Sequence, residues 1–255
     1  MSKDPKDHID LIIVIPCYNE EGRFAEMRPE YVSFLEAHKA VALCLVDDGS
    51  KDNTAEVLQT LQEAFPQQIE VLIQEKNQGK AEAVRSGVLH CTSQFDTRFV
   101  AFLDADLATS FEECLRIYSY AAAKDGISFA FASRILKIGS EIRRKKFRFV
   151  VGRIVATMIS SILGIKVYDT QCGCKVFERA LAQELFKDKF ISKWLFDVEL
   201  FFRMIQRYGR PAAIAKMIEV PVKKWVDKGD SKVQMTYFFK LWIDLMKIKR
   251  TYKNA

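Results

Sequence analysis

Apolar and polar stretches alternate along the first half of the chain, as they do where strands are joined by helices. Several short runs are rich in β-branched and large apolar residues, and polar residues follow each run. Helical segments lie between the runs. This alternation predicts an α/β fold with a mostly parallel sheet flanked by helices. The predicted strands are Leu11–Ile15, Ala42–Val46, Ile69–Gln74, Phe99–Leu103 and Ser128–Ala132.

Capping signals predict where two of the helices begin. Ser110 and Glu113 have the spacing of a capping box, and either Asp52 or Asn53 is placed to cap an earlier helix. In open α/β sheets, ligands bind beyond the carboxyl ends of the strands. The polar motifs of this chain fall at those ends, so we expect a ligand site there.

After about residue 133 the alternation stops, and the chain becomes basic and then apolar. The apolar stretch 147–165 is interrupted by Gly152 and Arg153, whereas a membrane span needs about twenty apolar residues. We therefore expect a helix that lies along a surface, with Arg153 and the basic residues before it on the wet side. Five cations fall within six residues: Arg143, Arg144, Lys145, Lys146 and Arg148.

The segment 233–248 predicts a second amphipathic helix near the end of the chain. One face carries Lys240, Asp244 and Lys247. This helix either packs on the core or lies on a membrane, and the pattern leaves both open. Because the sequence stops soon afterwards, we expect peripheral attachment to the cytoplasmic face of a membrane. The apolar face is predicted to contain Tyr237, Phe238, Leu241, Trp242, Leu245 and Met246.

Size, charge and cysteines restrict the class of protein. The 255 residues are 49% hydrophobic, enough to bury a full core, and carry a net charge of +6. Clustered cations attract nucleic acid, anionic lipid or a phosphorylated substrate. The basic residues lie beside apolar stretches without interleaved aromatics, so we expect no nucleic acid partner. Scattered cysteines without a signal peptide indicate reduced thiols in a cytoplasmic protein.

The most informative motif is the acidic pair Asp104 and Asp106, which directly follows an apolar run. Two carboxylates at a strand end provide the hard oxygen ligands that Mg²⁺ or Mn²⁺ prefers. Such an ion neutralises a departing diphosphate. A second acidic pair, Asp47 and Asp48, is placed to bind a base or ribose, although an acidic surface turn has the same pattern.

A turn at residues 77–83 leads into a helix whose start would present Lys80 to a phosphate. The turn lacks the spacing of a Walker loop, and no G-x-G-x-x-G follows the first strand. Nucleotide hydrolases and nicotinamide enzymes are therefore disfavoured.

Taken together, the motifs at 15–21, 46–50, 77–80 and 104–106 resemble the nucleotide-sugar-binding half of family 2 glycosyltransferases. A second set of segments is similar to polyprenyl-phosphate sugar transferases, close to the dolichyl-phosphate glucosyltransferases and mannose synthases. These segments are Ser133 and Arg134, the basic stretch to Arg148, 169–177 and 194–199. The resemblance covers residue 10 to about residue 235. It implies an A-type glycosyltransferase fold, with a Rossmann-like sheet and a C-terminal amphipathic helix.

The resemblance implies inverting transfer of a hexose from a nucleotide-diphosphate sugar to a polyprenyl phosphate, dolichyl or undecaprenyl. Glucose from UDP-glucose is favoured over mannose from GDP-mannose. Asp104, Asp106 and Gln171 would form the site for Mg²⁺ or Mn²⁺. The other residues expected to bind the nucleotide sugar are Pro16, Tyr18, Glu20, Asp47, Asp48, Lys80 and Ala105.

A lipid phosphate is already anionic, so its acceptor site needs cations rather than a general base. Arg134 is expected to take part in catalysis by binding phosphate oxygens through its guanidinium group. A merely solvated basic loop is the alternative. Glu199 is expected to face the sugar, with Asp197 orienting a neighbour. The acceptor-phosphate residues are predicted to be Arg134, Arg143, Arg144, Arg148 and Lys232.

This interpretation divides the chain into a tail at 1–9, a catalytic domain at 10–230, and a C-terminal helix and tail at 231–255. Within the catalytic domain, the nucleotide-sugar half spans about 10–132 and the acceptor half about 133–230. Three alternatives stay open: a GDP-mannose-dependent synthase, a family 2 transferase of polysaccharide synthesis, and a nucleotide-sugar sensor without activity.

Overall fold

The computed structural model of the chain describes residues 9–143, 146–226 and 237–252, without the side chains of 146–148 and 237–240. In chain order, the described elements are β1 (Ile9–Cys17), α1 (Glu21–Ala37), β2 (Val41–Asp47), α2 (Thr54–Ala64), β3 (Ile69–Ile73), α3 (Lys80–Gln94), β4 (Thr97–Leu103), α4 (Phe111–Ala123), β5 (Phe129–Ser133), β6 (Glu141–Arg143), α5 (Lys146–Leu163), β7 (Cys174–Glu178), α6 (Arg179–Leu185), α7 (Phe196–Tyr208), α8 (Arg210–Ala215), β8 (Met217–Pro221), β9 (Lys224–Val226) and α9 (Tyr237–Thr251).

Among the described elements, seven strands form the main sheet in the order β3-β2-β1-β4-β7-β5-β8, and β6 and β9 form a separate ribbon. Helices alternate with the strands from β1 to β5, and the predicted α/β class is confirmed. All five predicted strands are present, with ends within two residues of those expected. Their apolar runs identify them because both faces of a sheet covered by helices are buried.

The chain divides into two compact units, the first containing the described residues up to Leu107 together with Val176–Lys187. In this unit β1 pairs in parallel with β2 and β4, and β2 pairs in parallel with β3. Cys17 lies opposite Asp47 in this register. The four strands therefore end at the same edge, which carries the loops that contain most of the predicted donor-site residues.

Helix α3 packs very closely on this sheet at Gly87. A Cβ atom there would lie 2.5 Å from Val14 Cγ1 and 2.8 Å from Val46 Cγ2. Because real Cβ atoms do not approach other carbons so closely, the sequence needs glycine at this position. This close packing holds the start of α3 at the carboxyl edge of the strands.

The second unit contains Ala108–Lys175 and the described residues from Asp188 onwards. Its strands β5 and β8 pair in parallel, as do β6 and β9. Helix α7 is buried along most of its length, and the Phe201 ring lies 5.2 Å from that of Phe129 and 4.9 Å from that of Phe131. These aromatic contacts form the core of the unit.

The capping predictions are confirmed at both helices. Glu113 N donates to Ser110 Oγ at 3.4 Å at the start of α4. At α2, Asp52 provides the capping oxygen, since Thr54 N donates to Asp52 Oδ1 at 3.1 Å. The side chain of Asn53 makes no capping bond and instead binds Glu21.

Helices α5 and α9 cover the two amphipathic segments predicted beyond residue 133. Across the described ranges, none of the helices has the length and apolarity that crossing a membrane requires. The predicted faces of α9 need correction. Asp244 is half-buried and accepts a hydrogen bond from Ser192, whereas Trp242 is exposed.

Candidate active site

The loops that follow β1 and β2 are joined by hydrogen bonds in the first unit. Asn19 N donates to Ser50 Oγ at 2.9 Å, and Glu20 N donates to Thr54 Oγ1 at 2.8 Å. In the other direction, Lys51 N donates to Asn19 Oδ1 at 2.8 Å. Asn19 has a positive φ of 53°, which asparagine tolerates better than most residues. The two loops therefore form one rigid layer at the carboxyl edge of the sheet.

The two acidic residues at the end of β2 are almost completely buried. Asp47 accepts from the backbone and hydroxyl of Ser50, and Asp48 accepts from Gln78 N at 2.7 Å and Gly79 N at 2.8 Å. Asp48 thus holds the loop before α3 against the end of β2. In the structure both carboxylates organise the loops, and their contact with a base or ribose stays a prediction.

Gly49 makes this arrangement possible. Its φ is +65°, and a Cβ atom would lie 2.5 Å from the carbonyl carbon of Lys76. Any larger residue would be strained by its backbone conformation and would also push the loop before α3 away. The glycine that the sequence places after the acidic pair is therefore a requirement of the loop packing.

Lys80 is the first residue of α3, and its Nζ lies 2.5 Å from Asp104 Oδ1. The Lys80 side chain is 26% exposed and that of Asp104 is 35% exposed, so both side chains are partly open to solvent. The sequence predicted that Lys80 would reach a phosphate, and the structure brings this ammonium group to the acidic pair.

The acidic pair occupies a tight turn directly after β4. Leu107 N donates to the carbonyl of Asp104 at 3.1 Å, and Leu107 has a positive φ of 46°. A positive φ is costly for a leucine, so the surrounding packing must impose this conformation. The turn buries Ala105 and leaves Asp104 and Asp106 half-buried at its surface.

The donor atoms of this turn are suited to a divalent ion. Within the described ranges, no group of three or more His, Cys, Asp or Glu side chains is placed to hold a metal. Mg²⁺ commonly binds one or two carboxylates and completes its coordination with substrate phosphates and water. Asp104 and Asp106 provide two half-exposed carboxylates, which fit that mode of binding.

In the second unit, Arg134 and Asp169 form a bidentate ion pair. Arg134 Nε lies 2.6 Å from Asp169 Oδ2, Nη2 lies 2.9 Å from Oδ1, and the backbone N of Arg134 donates to Oδ2 at 3.1 Å. Burial alone would raise the pKa of Asp169, but the Arg134 guanidinium lowers it to about 2. The centre of the Trp225 ring is 5.3 Å from the guanidinium carbon. Arg134 is thus held in one orientation.

The turn that contains Gln171 is fixed at both ends. At its start, Glu219 accepts from Tyr168 N at 3.0 Å and from Asp169 N at 2.8 Å. Burial raises the pKa of Glu219 despite these hydrogen bonds. At its end, the completely buried Lys175 donates to the carbonyl of Cys172 at 2.9 Å and lies 2.5 Å from Asp197 Oδ1. This scaffold defines the backbone conformation around Gln171.

Glu199 is fully buried in a hydrogen-bond network. Its Oε1 accepts from Arg203 Nη2 at 2.8 Å and from Tyr252 Oη at 2.9 Å, and its Oε2 accepts from Ile191 N at 2.8 Å. Burial first, and the Glu199 charge second, raise the pKa of Tyr252 to about 12. Both oxygens of Glu199 are thus engaged in the structure of the second unit, and a contact with the sugar stays a prediction.

Residues 12–186 match the family described as Glycosyl transferase family 2, which is more than half of the chain. The chain belongs to this family. The predicted family and the predicted glycosyltransferase enzyme class are therefore confirmed.

Proteins similar to this glycosyltransferase over most of its length include two dolichyl-phosphate beta-glucosyltransferases. One from Trichomonas vaginalis is 35% identical over 246 residues, covering 92% of this chain and 69% of that protein. Another from Dictyostelium discoideum is 31% identical over 245 residues, covering 91% of this chain and 71% of that protein.

Solved structures with the same fold include a mannosyltransferase from Pyrobaculum calidifontis in complex with GDP-Man and Mn²⁺. It has a TM-score of 0.64 at 16% identity, covering 100% of this chain and 67% of that chain. A glucosyl-3-phosphoglycerate synthase from Mycobacterium tuberculosis, in complex with Mn²⁺, UDP and phosphoglyceric acid, has a TM-score of 0.64 at 17% identity, with coverages of 96% and 78%. At such identities the likeness establishes the fold alone, and the predicted A-type fold is confirmed.

The predicted donor-side residues of this family 2 enzyme all lie in the first unit, at the ends of β1, β2 and β4 and at the start of α3. Pro16, Tyr18 and Glu20 are half-buried, and the Glu20 carboxylate lies 2.5 Å from Arg23. Because the strands are parallel, four motifs that are distant in sequence meet at one edge. They are Pro16–Glu20, Asp47–Asp48, Lys80 and Asp104–Asp106.

The predicted acceptor-side residues of the second unit are only partly described. Arg143 is 73% exposed and lies 2.5 Å from Glu141 on the β6–β9 ribbon. Arg144, Lys232 and the side chain of Arg148 lie outside the described residues. Phosphate binding by these four cations therefore stays a prediction.

Sequence reasoning missed several residues that organise the second unit. Lys175, Arg203, Glu219 and Tyr252 were not predicted to have a role. Lys175 contacts Asp197, and Arg203 and Tyr252 contact Glu199, whereas Glu219 binds the backbone at the start of the turn that contains Gln171. The spacing of Glu199 and Arg203, four apart on a helix, was the one local signal of a pair. Glu219 had no comparable signal, because its partners are the backbone groups of a distant turn.

Proposed function

We propose that this protein transfers a glucosyl group from UDP-glucose to dolichyl phosphate with inversion at the anomeric carbon, and that it needs a divalent ion. The observation that carries the proposal is the acidic turn at the end of β4, with Lys80 beside it. The chain is also 35% identical to a dolichyl-phosphate beta-glucosyltransferase, which supports the sugar and the acceptor. Both UDP and Mn²⁺ are bound in a structural relative, which supports the donor and the ion.

On the donor side, Asp104 and Asp106 would hold Mg²⁺ or Mn²⁺, which supplies charge neutralisation for the departing diphosphate. Lys80 adds a positive charge at the start of α3, where backbone N–H groups also favour phosphate oxygens. The joined loops after β1 and β2 form a rigid floor for the nucleoside. The role of Gln171 as a further metal ligand stays a prediction.

On the acceptor side, the lipid phosphate is itself the nucleophile. Its oxygen forms the bond to the anomeric carbon as the bond from that carbon to UDP breaks, and UDP leaves with the electron pair. No proton has to be removed from the nucleophile, so a general base is not required. Arg134 would attract the phosphate, and Asp169 would hold the guanidinium plane in place.

The test is a transfer assay with purified protein, Mn²⁺ or Mg²⁺, and a short polyprenyl phosphate. Labelled UDP-glucose, UDP-galactose and GDP-mannose are offered separately, and the lipid product is separated from free sugar. We expect a glucosyl lipid from UDP-glucose, with a β-linkage by NMR, and its loss with chelator or in Asp106→Asn. Asp125→Asn, at an exposed residue that belongs to none of the motifs, is the matched control.

Each of the other outcomes of this assay would support a different function. A mannosyl lipid formed from GDP-mannose alone would refute the glucosyl assignment and support the mannose synthase alternative. Transfer to a hydroxyl acceptor, without transfer to lipid phosphate, would support a role in polysaccharide synthesis. Tight binding of a nucleotide sugar without transfer to any acceptor would support a sensor.

A further inference from the structure

Helix α9 is attached to the second unit by one well-defined face. Leu245 and Ile248 are completely buried. On the same side, Ser192 Oγ donates to Asp244 Oδ2 at 2.8 Å, and Tyr252, just after the helix, donates to Glu199 at 2.9 Å. These contacts fix the rotation of α9 about its own axis, so the side chains opposite them point permanently outward.

The outward face of α9 combines large apolar side chains with cations. Trp242 is 45% exposed and Ile243 is 54% exposed. Lys247, Lys249 and Arg250 are also exposed on this part of the helix. The one acidic residue of the α9 sequence, Asp244, is half-buried and turned toward Ser192. The helix therefore contributes cations and no acidic side chain to the described part of its outer face.

We propose that this face of α9 binds the surface of an anionic phospholipid bilayer. Tryptophan is favoured where a membrane meets water, because its ring is apolar and its N–H is polar. Ile243 would enter the boundary of the acyl chains, and the three cations would bind acidic headgroups. The combination of exposed aromatic, apolar and cationic side chains is suited to this surface.

Charge argues against the other occupants of this face. A second copy related by a two-fold axis would bring the cations of α9 close to their own counterparts, which costs energy unless acids intervene. A nucleic acid would pair with the cations but would give no partner to Ile243. A bilayer that contains acidic lipid satisfies both kinds of side chain.

This inference extends the proposed function, which needs a lipid acceptor, but it does not depend on sugar transfer. Vesicle binding is measured without donor or acceptor substrate. A failure of the transferase assay would leave vesicle binding unaffected, and a failure of vesicle binding would leave transfer to a short, detergent-soluble acceptor unaffected. The two proposals can therefore fail separately.

The experiment is co-sedimentation of the full chain with vesicles of phosphatidylcholine alone or of phosphatidylcholine with phosphatidylserine, at low and physiological salt. We expect binding to the acidic vesicles, weakened by salt, and a blue shift of tryptophan emission that Trp242→Phe abolishes. Each cation near an acidic surface contributes about fivefold in affinity. Replacing Lys247, Lys249 and Arg250 by glutamine should therefore weaken binding by at least about tenfold.

Matched controls test whether the position matters rather than the total charge or apolarity. Glutamine at the exposed Lys39, Lys124 and Lys187 removes the same charge elsewhere and should leave vesicle binding within about twofold of wild type. Ile243→Ser should weaken binding, whereas Ile214→Ser, at a residue 51% exposed on α8, should not. Thermal unfolding verifies that each variant is folded.

Three results would overturn the proposal. The first is equal binding to neutral and acidic vesicles. The second is an α9 triple variant that binds as tightly as the Lys39, Lys124 and Lys187 control. The third is self-association in sedimentation equilibrium that Trp242→Ala abolishes, which would make this face an interface between copies of the chain.

Discussion

The ion pair between Lys175 and Asp197 offers the most direct test of how the second unit supports the Gln171 turn. Lys175 is completely buried, and its Nζ contacts both Asp197 Oδ1 and the carbonyl of Cys172. Lys175→Met keeps most of the side-chain volume and removes the charge. Asp197, which is 5% exposed, would then lose its cationic partner inside the core.

The expected loss of stability in Lys175→Met follows from the two buried groups that lose their partner. Removing one member of a buried ion pair costs about 3–5 kcal/mol, because the other charge remains buried without a partner. The Cys172 carbonyl also loses a donor, which adds about 1 kcal/mol or more. We expect Lys175→Met to lower the free energy of unfolding by about 5 kcal/mol. The double variant Lys175→Met/Asp197→Leu removes both charges and should cost less than Lys175→Met alone.

The assay is urea unfolding followed by circular dichroism, with the four proteins of the double-mutant cycle measured together. Lys80→Met is a matched control, since its pair with Asp104 is partly exposed and should be worth only about 1 kcal/mol or less. A cost of Lys175→Met that is no greater than that of Lys80→Met would refute the reasoning. So would a double variant whose cost equals the sum of the two single variants.

Three further predictions concern other parts of the molecule. Lys80→Met should weaken UDP binding by about tenfold in calorimetry with Mn²⁺, because a cation beside the acidic turn is lost. Lys39→Met is the control, and an equal loss of UDP affinity in both variants would contradict the prediction. Gly49→Ala should cost about 2 kcal/mol or more in urea unfolding, given its φ of +65° and the contact with Lys76; an unchanged midpoint would show that the loop tolerates a side chain. The pKa of Asp169 is lowered to about 2, so its ionised form stabilises the folded protein above about pH 4. We expect the free energy of unfolding to fall by about 2 kcal/mol as the pH is lowered from 4 toward 2. Arg134→Met should remove most of this pH dependence, and a profile identical to wild type would exclude the ion pair as its source.

Much of the first unit could be predicted from local sequence. Its inner strands are apolar runs because they are covered on both sides, and the buried sequence from Leu11 to Ile15 is an example. The donor-side motifs could be placed together because parallel strands end at a common edge. Their individual hydrogen bonds could not, since Asp48 binds the backbone of Gln78 and Gly79 across 30 and 31 positions of sequence.

The partners of charged residues in the second unit were decided by tertiary structure. Arg134 and Asp169 are 35 positions apart, and Glu219 is 51 positions from the backbone of Tyr168. A sequence shows which residues carry charge, but only packing determines which charges are desolvated together and must therefore pair.

Helix α9 shows most clearly what the sequence determined and what the tertiary structure decided. Its sequence predicted an amphipathic helix with one apolar face that contained both Trp242 and Leu245. In the structure, Trp242 and Ile243 lie on one part of the helix surface, and Leu245 and Ile248 lie on another. Periodicity cannot rank two apolar faces. Packing against the second unit buried Leu245 and Ile248, and the hydroxyl of Ser192 satisfied Asp244 on that side. Tertiary structure thereby left the tryptophan and the cations facing outward.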